Sequence, residues 1–324
     1  VPPAVAAAVF GQIAAFAGYG FPRSHAVAFA RLAYETCYLK AHHLSAFFCA
    51  RLNAQPGGFY HPSVVIGDAR RHGLAILGPD LSRSAYDCTL ERSEGTAMGG
   101  APAHPHAVRL GLRYVRGLAE VSGMALVAER DAGGPFRDLA DLCRRAHGCL
   151  TPHAVAALIA AGACDTWGVA RRQLQWALPA AWAGATGLAL PPGPVALPAE
   201  TAEERRGAEG WATDVTLGDH PLAAHRAALM APGILALAAL DDAPTGATGT
   251  VAGQLVILQR PPTARGVAFV TLEDETGLGN LVLSPEIDRA YRAALHAGPL
   301  VVATGRVQRR AGVVNVQVIT ICAG

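Results

Sequence analysis

The strongest constraint on this chain is a strand pattern repeated five times near its end. Residues 250–260, 267–274, 278–284, 300–308 and 313–321 each read as a strand. Ala268-Phe269-Val270-Thr271-Leu272 and Val314-Asn315-Val316-Gln317-Val318 alternate with period two, as strands do when one face lies in a core. Turn chemistry separates the runs at Pro261-Pro262, Thr276-Gly277 and Arg310-Ala311-Gly312. One insertion breaks the series: residues 285–296 carry Ile287, Tyr291 and Leu295 at helical spacing.

Five strands with a helix after the third is the order of an oligonucleotide-binding (OB) barrel, which leaves one face of its strands free for bases and backbone. Phe269 alternates with Val267 and Thr271, so the sequence leaves it open whether its ring faces core or solvent. Upstream, residues 1–54 are helical, with Val27, Leu32, Tyr34, Leu39, Leu44 and Phe47-Phe48 as apolar positions and Ser24 as a helix cap after Pro22. Residues 55–108 mix a helix over 62–71 with short strands over 74–77 and 87–91, and include a Gly/Ala/Pro/His stretch over 93–106.

Residues 109–182 are helical with two glycine-centred turns, Val115-Arg116-Gly117-Leu118-Ala119 and Ile159-Ala160-Ala161-Gly162-Ala163. Thr151-Pro152 caps the helix before the second turn, and another helix follows over 171–178. Glycine turns between helices let backbone amides approach phosphates, the means by which helix-hairpin-helix elements hold a duplex without reading its bases. A plain glycine C-cap joining two helices has the same sequence signature. Residues 183–248 read as a linker rich in Ala, Gly and Pro, with an acidic patch over 200–204 and a short helix over 220–229; residues 249–324 form the barrel. The fold class is therefore multidomain α+β, helical first and barrel last.

Net charge is only +2, so bulk charge does not single out a nucleic-acid partner. Lys40 is the lone lysine, and a GC-rich genome explains the arginine bias as well as phosphate binding does. No uninterrupted apolar run suggests a membrane span, and Val1-Pro2-Pro3 lacks a charged secretory start. Seven cysteines without a small-domain framework read as reduced, cytoplasmic thiols, and the missing initiator methionine suggests a piece of a longer protein.

Catalytic chemistry is sparse. Cys143, His147 and Cys149 fit no common zinc spacing and read as structural. His42-His43 reads as a polar helix end. Glu273-Asp274-Glu275 before Thr276-Gly277 reads as a charged hairpin rather than a set of metal carboxylates. Neither a nucleotide-hydrolase phosphate loop nor a Gly-x-Ser-x-Gly elbow is present. Arg23, Ser24 and His25 group donors at a helix start, which suits a triphosphate and equally suits a capped helix with exposed polar residues.

Phe21-Pro22-Arg23-Ser24-His25-Ala26 and Tyr34-Glu35-Thr36-Cys37-Tyr38-Leu39-Lys40-Ala41-His42-His43 resemble a stretch of bacterial C-family DNA polymerases, the DNA polymerase III alpha-like group. Asn53-Ala54-Gln55-Pro56-Gly57-Gly58-Phe59-Tyr60 and Asp68-Ala69-Arg70-Arg71-His72-Gly73 resemble its error-prone branch. Gly111-Leu112-Arg113-Tyr114-Val115-Arg116-Gly117-Leu118 and Leu158-Ile159-Ala160-Ala161-Gly162-Ala163 are similar to its helix-hairpin-helix region, and Phe269-Val270-Thr271-Leu272-Glu273-Asp274-Glu275-Thr276-Gly277 to its OB domain.

The resemblance implies the C-terminal part of a translesion polymerase: the end of the fingers, the duplex-binding helices and the barrel. It places the two Mg2+ ions and the palm aspartates upstream, so no catalytic residue is expected within this chain. It puts Arg23, Ser24 and His25 near the incoming deoxynucleoside triphosphate, Arg116, Gly117 and Gly162 at the duplex, and Arg260, Phe269, Arg306, Arg309 and Arg310 along the single-stranded template. It further implies an accessory polymerase-like partner that brings the sliding clamp, because Gln173-Leu174-Gln175-Trp176-Ala177-Leu178 reads as helix interior rather than as a clamp peptide. A stand-alone DNA-binding accessory module without chemistry is the alternative.

Overall fold

The computed structural model describes residues 2–17, 23–58, 60–93, 104–185, 187, 195–215, 217–218, 220–230, 233–310 and 312–323. Three hydrophobic cores organise them.

The stretch predicted to be helical over 1–54 is three helices, the first being α1 (Pro3–Ala17). Helix α2 (Arg23–His42) buries none of its side chains, whereas α3 (Leu44–Asn53) buries Leu44, Phe48 and Leu52 at i, i+4, i+8. His43 leaves the helical region between them, with φ −135° and ψ 49°. Helix α4 (Pro62–Arg71) starts at Pro62, where the missing amide costs nothing, and adds Val65 and Ile66 to the same core. A three-stranded sheet of β1 (Ile76–Leu77), β2 (Thr89–Arg92) and β3 (His106–Arg109) closes this core, with β3 in the middle. Most of the Gly/Ala/Pro/His stretch, residues 94–103, lies outside the described residues.

The second core is helical: α5 (Glu120–Gly133), α6 (Leu139–Ala146), α7 (Pro152–Ala160) and α8 (Arg171–Gly184) surround Leu112, Leu126, Leu142, Leu158 and Ile159. Asp138 and Thr151 cap α6 and α7 by accepting from Asp141 N–H at 2.8 Å and Ala154 N–H at 3.2 Å. The linker expected across 183–248 is in part an ordered member of this unit. Helix α9 (Ala202–Thr213) begins at a reciprocal capping box in which Thr201 and Glu204 each accept from the other's backbone N–H, and Ala212 is sealed in the helical core. The short helix expected over 220–229 is a 3-10 turn (Pro221–His225) followed by α10 (Arg226–Met230).

The third core is the barrel: β4 (Ile234–Leu235), β5 (Thr248–Gln259), β6 (Ala268–Glu273), β7 (Leu278–Leu283), α11 (Pro285–Ala297), β8 (Leu300–Arg310) and β9 (Val313–Ala323). Each of the five predicted strands is present, and β4 adds a short parallel edge to β5. Strand β5 serves two partners: Thr248 to Gln254 pair with β8, and Gln254 to Gln259 pair with β6. A register shift between Leu255 and Ile257 marks the change of partner, and bulges bend strands in this way. A parallel pairing of β7 with β9 completes the closure.

The Glu273-Asp274-Glu275 hairpin forms as predicted, but its charges turn inward. Asp274 is 1% exposed and accepts from Leu237 N–H at 2.8 Å, Thr276 N–H at 2.8 Å, Gly277 N–H at 3.0 Å and Arg226 Nη2 at 2.7 Å. Arg226 also holds Glu275, and Arg71 of α4 reaches Glu273 at 2.8 Å. Removing the central carboxylate leaves Arg226 with Glu275 alone and several amides without their acceptor, so Asp274→Ala is expected to lose about 3–5 kcal/mol in denaturant unfolding.

His220 lies half-buried beside this cluster. Its Nδ1 accepts from Leu222 N–H at 3.2 Å, which requires that nitrogen to be unprotonated. Burial, aided by Arg71, depresses its pKa against the opposing pull of Glu273, Glu275 and Asp274. A histidine depressed in the fold is protonated more readily when unfolded, so its stabilisation is present above about pH 6.5 and lost as pH falls through its folded value. Stability measured from about pH 7 to about pH 5 is expected to fall less in His220→Asn, which keeps the capping acceptor without the titration.

Candidate nucleic-acid interface

On the barrel, strand register decides which side chains can meet a ligand. In β6, Ala268, Val270 and Leu272 are buried, while Phe269 is 40% exposed. The face left open by the sequence is therefore the outer one. Phe269 pairs with Val282 of β7, Val282 with Gln317 of β9, and Gln317 with Arg306 of β8. One row thus crosses four strands, with an aromatic ring at one end and a guanidinium at the other. Beside it, Thr271 donates to Asn280 at 3.3 Å and Gln308 to Gln317 at 2.6 Å. Stacking rings, amides and arginine are the groups that hold single-stranded nucleic acid without reading its sequence. Asn280, Val282, Gln308 and Gln317 were not among the predicted site residues. Alternation marks them as outward, but only the parallel β7–β9 closure puts Val282 and Gln317 in line with Phe269 and Arg306.

The other predicted arginines have diverse partners. Arg260 is drawn onto α11, where it meets Asp288 at 2.7 Å while Arg292 meets the same carboxylate at 2.9 Å. Those hydrogen bonds hold the Asp288 pKa low and raise that of Arg260. Arg260 therefore fixes the end of β5 to the barrel helix and stands apart from the row. Arg309 donates to Asp241 O at 2.6 Å, and Arg310 is exposed at the end of β8.

In the helical unit both hairpin glycines have positive φ, +73° at Gly117 and +81° at Gly162, where a side chain is strained. A Cβ on Gly162 would also run into the Arg171 guanidinium, which binds Asp165 at 2.6 Å and Glu209 of α9 at 3.0 Å. At the first hairpin, Arg116 N–H donates to Ala212 O at 2.7 Å and its side chain binds Asp214 at 2.8 Å. The Arg116 guanidinium lies 5.8 Å from the centre of the Trp211 ring, and His153 meets the same ring edge-on at 5.6 Å. The C-terminal end of α9 is thus docked on the first hairpin.

Arg23, Ser24 and His25 form the exposed first turn of α2, where His25 packs on Phe29, with ring centres 4.4 Å apart. Gly20, Phe21 and Pro22 of the same motif lie outside the described residues. No group of three metal-ligating side chains occurs among the described residues. Cys143 is buried with its thiol pushed up to about 11, and His147 stacks on Trp182 at 4.7 Å. No helix among the described residues is long and apolar enough to cross a membrane.

Comparison with known proteins agrees with this geometry. Residues 73–174 match a family described as a helix-hairpin-helix motif, and residues 250–321 match one described as an OB-fold nucleic acid binding domain. The error-prone DNA polymerase of Anaeromyxobacter sp. (strain K) is 41% identical over 316 residues, 96% of this chain and 27% of that protein. The same-named proteins of Mycobacterium tuberculosis (strain ATCC 25618 / H37Rv) and Azoarcus sp. (strain BH72) are 39% and 42% identical over 97% and 94% of this chain. Across that span the chain is a homologue of the error-prone DNA polymerases. It spans about a quarter of the length of the curated relatives it matches. Among solved structures, asparaginyl-tRNA synthetase from Pyrococcus horikoshii is similar at 20% identity with a TM-score of 0.21, covering 24% of this chain and 19% of that one.

The second hairpin gives a direct test. Gly162→Val combines a strained φ with a collision, and is expected to lower stability by about 1–3 kcal/mol in thermal or denaturant unfolding.

Proposed function

We propose that this chain is the part of an error-prone DNA polymerase that holds primer–template duplex on its hairpins and single-stranded template on its barrel during synthesis across damaged DNA. The observation that carries this reading is the pairing of two nucleic-acid-binding units in one chain that is collinear with polymerases of that name. The Phe269–Val282–Gln317–Arg306 row supplies stacking and charge for a template strand, and the hairpins supply backbone positioning without base readout. We assign the two-metal chemistry of nucleotidyl transfer, with its Mg2+, to the length of the relatives that this chain does not span. Arg23, Ser24 and His25, exposed together on α2, are assigned to the incoming deoxynucleoside triphosphate. Clamp contact is assigned to an accessory protein, and the cytoplasm is the expected site of action.

Titration of an oligothymidylate by fluorescence anisotropy tests the barrel. Phe269→Ala is expected to cost about 1–3 kcal/mol of binding. Arg306→Ala is expected to flatten the salt slope by about 1, whereas Arg260→Ala leaves that slope unchanged because Arg260 serves Asp288. Unchanged affinity in both Phe269→Ala and Arg306→Ala would remove the barrel row from the reading. Primer extension by this chain alone is expected to be absent; extension would show that chemistry resides within it.

A further inference from the structure

Helix α9 connects the two hairpins. Its last residues wall the first one through Trp211 and Ala212. Its earlier residues line a cavity of about 700 Å3 at the second, where Arg205 and Arg206 face Ala161, Gly162 and Arg171. Four carboxylates share that cavity: Asp80, Asp165, Glu200 and Glu209. Arg171 neutralises two of them, Asp165 and Glu209, and Asp80 accepts from Ser82 N–H at 2.8 Å. Arg109, also in the lining, is committed to Glu91 at 2.8 Å. Arg205 and Arg206 differ from these arginines, since among the described residues neither guanidinium has an acceptor. Two adjacent guanidiniums with no hydrogen-bond acceptor among the described residues, one of them half-buried, can take an anion that brings several acceptor oxygens at once.

We infer that α9 is a third duplex-binding element of the helix-hairpin-helix unit, with Arg205 and Arg206 taking sugar-phosphate backbone phosphates beside the Gly162 hairpin. This rests on the duplex-binding reading above and adds residues from a segment outside the matched hairpin motif, which ends at residue 174. A duplex laid from one hairpin to the other would run along α9, about 18 Å for 12 residues. The guanidiniums would supply the positive charge that the second hairpin turn, Ile159-Ala160-Ala161-Gly162-Ala163, lacks.

The test is anisotropy of this chain with a short blunt DNA duplex across a salt series, compared with an oligothymidylate. The R205A/R206A double variant is expected to weaken duplex binding about tenfold and to flatten the slope of log affinity against log salt by about 1 to 2, since each phosphate contact contributes about 0.9. R205K/R206K, which keeps the charge, is expected to retain most of that slope. Arg289→Ala, an equal loss of charge per residue on the barrel helix α11, is expected to leave duplex binding unchanged. An unaltered duplex slope in R205A/R206A, or the same effect per charge from Arg289→Ala, overturns the role of α9 while leaving duplex binding by the hairpins in place. Failure of the unaltered chain to bind duplex at all overturns both.

Discussion

The buried Asp274 carboxylate is the interaction on which the exposed face of the barrel depends. It satisfies the amides of the β6–β7 turn and of Leu237 while Arg226 neutralises it. A charge so deeply buried is tolerable only with this full set of partners. The turn in turn pins the pairing of Glu273 with Leu278, and through it that of Phe269 with Val282. A slip of one residue would send Phe269 into the core and Val270 to the surface, because side chains alternate with period two. The outward row from Phe269 to Arg306 is thus fixed by a buried carboxylate that lies outside it. Glu273 extends the same cluster to Arg71, so the hairpin that sets the register also ties the barrel to α4.

Charge on the barrel is sorted by pairing rather than by number. Its carboxylates at Glu273, Asp274, Glu275 and Asp288 are taken up by Arg71, Arg226, Arg260 and Arg292. Glu286 remains on α11, where Ser284 donates to it. The row from Phe269 to Arg306 therefore contains a cation and no carboxylate, although the chain carries a net charge of only +2. Overall charge hides such a surface because salt-bridged pairs contribute little field at a distance, while an unpaired guanidinium contributes fully.

What the sequence revealed follows the range of each interaction. Period-two alternation, the Thr151-Pro152 cap and the glycine turns are local signals, and each led to the corresponding strand, helix or hairpin. The outward face of Phe269 and the committed role of Arg260 depend on register and on a helix 28 residues away, which no local pattern encodes. Helix α9 is an intermediate case. Its glycines and its Ala/Pro-rich flank suggest a linker, yet Thr201 and Glu204 stand at capping-box spacing and announce a helix start. The two-residue capping signal, and not the composition around it, matches the structure.

That helix also shows why a motif boundary is a poor guide to a physical unit. The matched hairpin region ends at residue 174, but the core it belongs to includes Ala212, and the first hairpin gives its Arg116 amide to the α9 backbone. An amide bonded to Ala212 O is unavailable to a phosphate, so under the proposed duplex binding the grip at that hairpin would come from the remaining backbone and from side chains around it. The groups at hand are His153, Trp211 and Arg116 itself, and two of the three lie outside the hairpin sequence. The physical unit here is the assembled set of helices, and α9 is the piece that joins one hairpin to the other.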